Sequence, residues 1–339
     1  MKQQDFNTLP PLLVDYLHQM LQREQSTLTV REYASDLRLF FRYLAVREKM
    51  LSADTPWSEI SLADIITVEF ILSVTVEDAY DFLSHCRINN QNNARTRARR
   101  VVSIKRFYHY LTVNRLILEH NPMENLESPR TDKSLPKYLT LEESIFLLET
   151  VRGNSDPNYP FTERDFCILI LFLNCGMRLS ELCSLNVSDL RQDSTVRITG
   201  KGNKERTVYL NGACLAAIKR YRAVRPQEGL RHEDRDALFI SRNKRRMNQR
   251  SVELMLEKYL KLSGLDGRGY SVHKLRHTAA TLMYQNDVDV LELKEILGHE
   301  NLSTTQIYTH VLDAQLREAS NANPLSSFGV KDGMEDSGG

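Results

Sequence analysis

The sequence predicts a mainly α-helical chain in two domains: an N-terminal helical bundle, then a mixed α+β domain whose sheet is a small β-hairpin. Three observations carry this. Apolar residues recur at helical spacing through most of the chain up to Thr112. A composition shift from Asn121-Pro122 to Leu135-Pro136, with Pro129 between, reads as an interdomain linker. One pair of short alternating segments, Thr195–Thr199 and Arg206–Leu210, flanks Gly200-Lys201-Gly202-Asn203 and reads as a hairpin.

In order, the spacing predicts a helix from Leu12 to Gln22 and another from Thr29 to Leu44, whose stripe holds Val30, Tyr33, Leu37, Phe40, Phe41 and Leu44. Asp54-Thr55-Pro56-Trp57 breaks the pattern. Helices follow over Thr67–His85 and Asn93–Thr112, the latter with Val101, Ile104, Tyr108 and Leu111 facing a core. Beyond the linker, Thr140 and Glu143 match a capping box that opens a helix to Val151. Glu163–Asn174 is helical, Gly176 punctuates it, and Met177–Leu185 resumes. After Gly212 the pattern is helical almost to Asn321, apart from a strand candidate at Ala237–Ile240. The resulting boundaries are 8–113 for the first domain, 114–131 for the linker and 132–320 for the second domain. Residues 321–339 form a tail, Gly- and Ser-rich from Gly329 and expected to be disordered.

The 339 residues give room for two cores, and 41% hydrophobic with 26% charged residues is a globular composition. The apolar run Ile168–Leu173 is far short of the roughly 20 residues that span a bilayer, and no secretory leader follows Met1. No membrane partner is expected. Five cysteines without a CxxC favour a reducing compartment, so a cytoplasmic location is expected. The net charge of +1 hides segregation. No acidic residue occurs from Phe82 to Leu118, a stretch holding Arg95, Arg97, Arg99, Arg100, Lys105 and Arg106. A second basic cluster is Arg242, Lys244, Arg245, Arg246 and Arg250; a third is Arg197, Lys201, Lys204 and Arg206. Such stretches suit a polyanion partner, although charge runs are more often solvated helix faces.

Five short strings carry chemistry. Arg178 and Glu181 lie three apart at a helix start; Lys201 sits between the hairpin strands; His273 and Arg276 share a helix face. Leu297-Gly298-His299 ends a helix with glycine placed for a left-handed terminus, and Tyr308 falls in the second turn of a helix opened by Ser303 and Gln306. Each alone is ordinary: a surface ion pair, a turn lysine, a core aromatic. His273 and His277 have zinc-helix spacing, but Lys274 and Arg276 oppose a dication there. Together they fit transfer of a phosphodiester without a metal. Arg178 and Arg276 can fork onto non-bridging oxygens, with His299 donating beside them. Tyr308 can attack phosphorus, Lys201 can protonate the departing 5′-oxygen, and His273 can exchange the phenol proton or hold the phosphate.

These residues, in the strings GMRLSEL, GKGNKER, HKLRHTAATLM and LGHENLSTTQIYTH, resemble the tyrosine recombinase (phage integrase) family, most closely its Xer-type site-specific recombinases. STLTVREYASDLRLFFRYL is similar to that family's SAM-like core-binding domain, so the resemblance covers about residues 10–320. It implies a C-shaped clamp of two domains on double-stranded DNA and a 3′-phosphotyrosyl intermediate. It also implies a Holliday junction within a homo- or heterotetramer on two recombination sites, with neither cofactor nor metal. Glu181 would buttress Arg178. The arginine-rich helix of residues 95–106, and Arg242, Lys244, Arg245 and Arg246, would grip DNA. The segment from Leu312 to Leu325 would pack on a neighbouring subunit. A second recombinase and a DNA translocase are further partners it allows. Chromosome dimer resolution is the expected role; integration of a mobile element is the alternative with the same chemistry. A topoisomerase-like enzyme and an inactive DNA-binding regulator fit less well. Cys175 stands where threonine is commoner in the family, and the length around Met50–Ser61 and past Asn321 departs from compact Xer proteins.

Overall fold

The computed structural model describes residues 6–130, 137–154, 156, 158–200 and 205–298. Packing divides the chain into two compact units, Met1–Lys133 and Ser134–Gly339. The first is a helical bundle: α1 (Pro11–Gln22), α2 (Thr27–Arg47), α3 (Leu62–Ile65), α4 (Val68–Ser73), α5 (Val76–Ile88) and α6 (Ala94–His109), the last running on into a π turn, Tyr110–Asn114. The stripe expected on α2 is its buried face, and it packs on α1, α5 and α6. Aromatic rings fill the centre, with Phe41 edge-on to Phe107 at 5.9 Å. The single helix expected over 67–85 is instead two. Thr75 ends the first and caps the second: its hydroxyl accepts from Asp78 N–H, and the Asp78 carboxylate accepts from Thr75 N–H at 2.8 Å. That reciprocal cap is a local signal that outweighs apolar spacing.

The second unit is built on α8 (Thr162–Cys175), which is buried almost all round and packed by α7 (Leu141–Arg152), α10 (Gly212–Val224) and α12 (Val272–Gln285). The expected capping box of Thr140 and Glu143 opens α7. α8 ends at Gly176 in the left-handed region, with φ +57°, where a β-carbon would also strike Leu297. α9 (Leu179–Ser184) starts two residues later than Met177, leaving Arg178 as its N-terminal cap. β1 (Thr195–Thr199) and β2 (Glu205–Tyr209) form the hairpin, antiparallel with Thr199 opposite Glu205. α11 (Gln249–Leu262) and α13 (Val290–Leu297) complete the described helices.

Two expectations fail between α10 and α11. Apart from one 3-10 turn, His232–Asp234, the segment is not helical, and Ala237–Ile240 forms only isolated antiparallel bridges, Asn186 with Ala237 and Ile240 with Arg246. Arg225 explains the path. Its guanidinium, 5% exposed, donates to the carbonyls of Arg235 (2.7 Å) and Ala237 (2.7 Å), folding the segment back on itself. Pro226 follows at once and cannot continue a helix. All five cysteines are free and buried. Among the described residues no helix is long and apolar enough to cross a membrane. The expected tail, and the helix expected to carry Tyr308, lie outside the described residues.

Candidate active site

The left-handed turn at Gly176 reverses the chain out of α8, and two residues later Arg178 caps α9. Three positions is less than one helical turn, so Glu181 reaches back. Its carboxylate accepts from Arg178 N–H at 2.8 Å and from Arg178 Nη1 at 2.8 Å. Glu181 is 2% exposed. A carboxylate so buried is tolerated only with matched donors. Arg206 on β2 supplies the rest, with Nη1 at 2.6 Å from Oε1 and Nη2 at 3.0 Å from Oε2. Burial pushes the Glu181 carboxyl up, but the bonds from Arg206 and Arg178 outweigh it and hold the group below its ordinary value.

Arg276, 3% exposed, sits on α12. Its Nη1 donates to Gly176 O at 2.7 Å and its Nη2 to Leu297 O at 2.6 Å. Arg178 Nη2 donates to Gly298 O at 2.8 Å. Both guanidiniums therefore rest on the last carbonyls of α13, where the helix dipole is negative and cations are favoured by about 0.3–1 kcal/mol each. Gly298 terminates α13 with φ +63°, as its sequence position predicts. His273 stands one turn before Arg276, exposed, its ring edge-on to His277 at 4.7 Å. Partial desolvation, then the charges of Arg276, Lys274 and Arg178, lower its imidazolium below the ordinary 6.5, so a neutral proton acceptor is favoured at neutral pH.

Arg178, His273 and Arg276 line one cleft of about 550 Å³, together with Ser180, Gln249 and Tyr270. This is the part of the predicted constellation that the structure brings together. Lys201, His299 and Tyr308 lie outside the described residues; Lys201 precedes β2 and His299 directly follows Gly298 in the chain. Two cations and a neutral imidazole along one concave wall can hold an anionic phosphodiester and exchange a proton beside it. Sequence reasoning passed over Arg206 as one member of a basic cluster. Strand alternation was the available signal: Arg206 shares the inward face of β2 with buried Val208.

The residues expected to grip DNA divide in two. Arg95 and Arg106 are exposed on α6, and Arg97 is half-buried. Arg100 is turned inward, donating to Cys86 Sγ at 2.7 Å and to Asn92 Oδ1. Arg99 is bound to buried Asp36 at 2.7 Å. Lys105 Nζ ties down the carbonyls of Glu124 (2.7 Å) and Leu126 (3.1 Å). In the second unit Arg242, Lys244 and Arg245 are exposed. Arg246 instead caps the end of α9, donating to the Ser184 and Leu185 carbonyls at 2.9 and 3.0 Å. The sequence correctly located the positive charge, but Arg100, Lys105 and Arg246 hold the protein's own backbone and side chains.

Comparison with known proteins bears on this geometry. The model described as phage integrase family matches residues 138–315, and that described as phage integrase, N-terminal SAM-like domain, matches residues 13–114. The chain is 46% identical over 319 residues to the tyrosine recombinase XerC of Caldanaerobacter subterraneus subsp. tengcongensis, covering 94% of this chain and 88% of that protein. It is 31% identical to the tyrosine recombinase XerD of Halalkalibacterium halodurans, covering 90% and 95%. In fold it resembles the XerH site-specific recombinase bound to palindromic difH substrate, with a TM-score of 0.68 at 22% identity over 88% of this chain and 81% of that one. With both halves matched in order and near-full-length relatives on both measures, the chain belongs to the phage integrase family of tyrosine recombinases.

Proposed function

We propose that this protein is an Xer-type site-specific recombinase that cuts and rejoins double-stranded DNA through a 3′-phosphotyrosyl intermediate. The observation that carries the reading is the shared support of Arg178 and Arg276. Arg276 is seated on Leu297 O and Arg178 on Gly298 O, two residues and one residue before His299, in a cleft that also holds His273. Arg178 and Arg276, with His299, bind the non-bridging oxygens of the scissile phosphate. Tyr308 Oη attacks phosphorus, and His273 takes its proton. The bond from phosphorus to the 5′-oxygen breaks, and Lys201 delivers a proton to that oxygen. A 5′-hydroxyl from a second duplex then attacks phosphorus, giving its proton to Lys201, and the bond to Tyr308 breaks as His273 returns the phenol proton, so no external energy source is needed. Two such exchanges, made through a Holliday junction by a homo- or heterotetramer on two sites, complete recombination. The role proposed is resolution of chromosome dimers, with a second recombinase and a DNA translocase as partners; similarity to proteins named tyrosine recombinase XerC and XerD supports the recombinase reading. Integration of a mobile element would use the same steps, and the DNA site separates the two roles.

The test is covalent trapping. The full chain is incubated with nicked duplexes carrying randomised arms, and the adduct-forming sequences and the DNA-linked peptide are identified. The linkage is expected at Tyr308. Tyr308→Phe is expected to retain DNA binding and form no adduct. Linkage at another residue, or an adduct at normal level in that variant, overturns the assignment. Lys201→Ala is expected to cleave slowly and to be restored by a substrate whose 5′ leaving group needs no proton. Adduct formation is expected to persist in excess chelator, since side-chain cations serve the phosphate; its loss would require a metal.

A further inference from the structure

We infer that Arg206 is a positioning residue for this centre, joining the strand that follows Lys201 to Arg178 through the shared carboxylate of Glu181. The inference rests on the proposed reading of the site. Five observations support it. Arg206 occupies an inward position of β2, opposite Ile198 and in line with Val208, where strand alternation calls for an apolar side chain. Its side chain is only 16% exposed, so the charge is desolvated and must have a built partner. That partner is a bidentate pair with Glu181, and Arg178 holds the same Oε1 at 2.8 Å. The carboxylate is thus a fixed hub between two guanidiniums on different elements. Arg206 also packs on the end of α13: a β-carbon on Gly298 would lie 2.9 Å from its Cδ, while Gly298 O accepts from Arg178. Arg206 Nε is buried with no acceptor among the described residues.

The consequence is geometric. The hub is small and rigid because a planar guanidinium matches a planar carboxylate in one orientation. It sets Arg178 in the cleft and ties β2, the strand that follows Lys201 in the chain, to the same carboxylate. Removing Arg206 leaves Glu181 with Arg178 alone, so Arg178 is drawn toward the carboxylate and away from the phosphate. The hairpin loses its anchor in the same step. The chemical step suffers while the DNA grip, spread over many phosphates, does not.

The experiment measures single-turnover adduct formation and site affinity separately, using a nicked duplex selected by the trapping above and the full chain. The wild type must form the Tyr308 adduct; its failure condemns the functional reading and not the Arg206 assignment. Arg206→Ala is expected to slow adduct formation about 10-fold or more, the usual worth of a charge-assisted pair, with affinity changed less than about 3-fold. Arg206→Lys, which keeps the charge but loses the fork, is expected to be intermediate. Adding Glu181→Gln to Arg206→Ala is expected to slow the reaction no further than the slower single variant, because both act through one hub. Wild-type rates in a folded Arg206→Ala overturn the inference. So does an equal loss of rate and affinity, with Lys no better than Ala, or a double variant whose losses multiply. Should Arg206→Ala fail to fold, Arg206→Lys decides: a slowed, folded protein upholds the role, and a normal rate removes it.

Discussion

Glu181 is a buried carboxylate held by two arginines, one of which lines the cleft. A carboxylate at 2% exposure is costly in isolation, and the two arginines on it convert the cost into a fixed geometry. Its folded pKa lies below the ordinary 4.5, so its contribution to stability is fully present above that value and fades as pH falls through the folded pKa. Glu181→Gln is therefore expected to lower stability at pH 7 by about 2 kcal/mol, with the gap to wild type closing in strong acid; denaturant melts at several pH values check this. His273 has the opposite charge logic. Its pKa is depressed from 6.5 by partial desolvation and then by neighbouring cations, so the neutral base persists into mild acid. At subsaturating DNA the cleavage rate is expected to be held through the ordinary histidine range and to fall only at lower pH. In His273→Gln a slower reaction without that limb is expected, measured from adduct yield against pH.

At the scale of elements, ends matter more than middles. α8 and α13 both stop on left-handed glycines, and the carbonyls they expose, Gly176 O, Leu297 O and Gly298 O, are the seats of Arg276 and Arg178. Gly298→Ala is expected to cost about 1–2 kcal/mol from its backbone alone and to push Arg206 off Glu181, so slower cleavage accompanies the lower melting point. Thr75→Ala removes the cap that splits the expected 67–85 helix. It is expected to cost about 1 kcal/mol in the first unit while leaving DNA cleavage intact, measured by melting and by adduct yield.

For the molecule as a whole, the charges left exposed are the ones expected to meet DNA. Arg95 and Arg106 are exposed, whereas Arg100 is buried against Cys86 and Asn92. Arg95→Ala and Arg106→Ala are each expected to reduce the slope of log affinity against log salt by about 0.9, the yield of one phosphate contact. Arg100→Ala is expected to destabilise the first unit and leave the slope unchanged. Titrations across salt concentrations, read beside thermal melts, separate the two classes. A slope that falls for Arg100 but not for Arg95 would reverse this assignment of roles.

The sequence by itself determined the helical class, the hairpin, the capping box of Thr140 and Glu143 and the order Arg178, Glu181, His273, Arg276, because each rests on spacing within one turn, one strand pair or one cap. Local rules also misled: apolar period hid the break at Thr75, and it carried helix past Arg225 on either side of the strand candidate at Ala237–Ile240, where a buried guanidinium folds the chain back. Only the tertiary structure decided which charges are spent inside. Arg206 meets Glu181 across 25 positions and Arg246 caps α9 across about 60, and no local pattern encodes such partners. A charged side chain looks the same in the sequence whether water or a carboxylate receives it. Burial makes the difference, since a desolvated charge must find a partner and is then fixed in place by it.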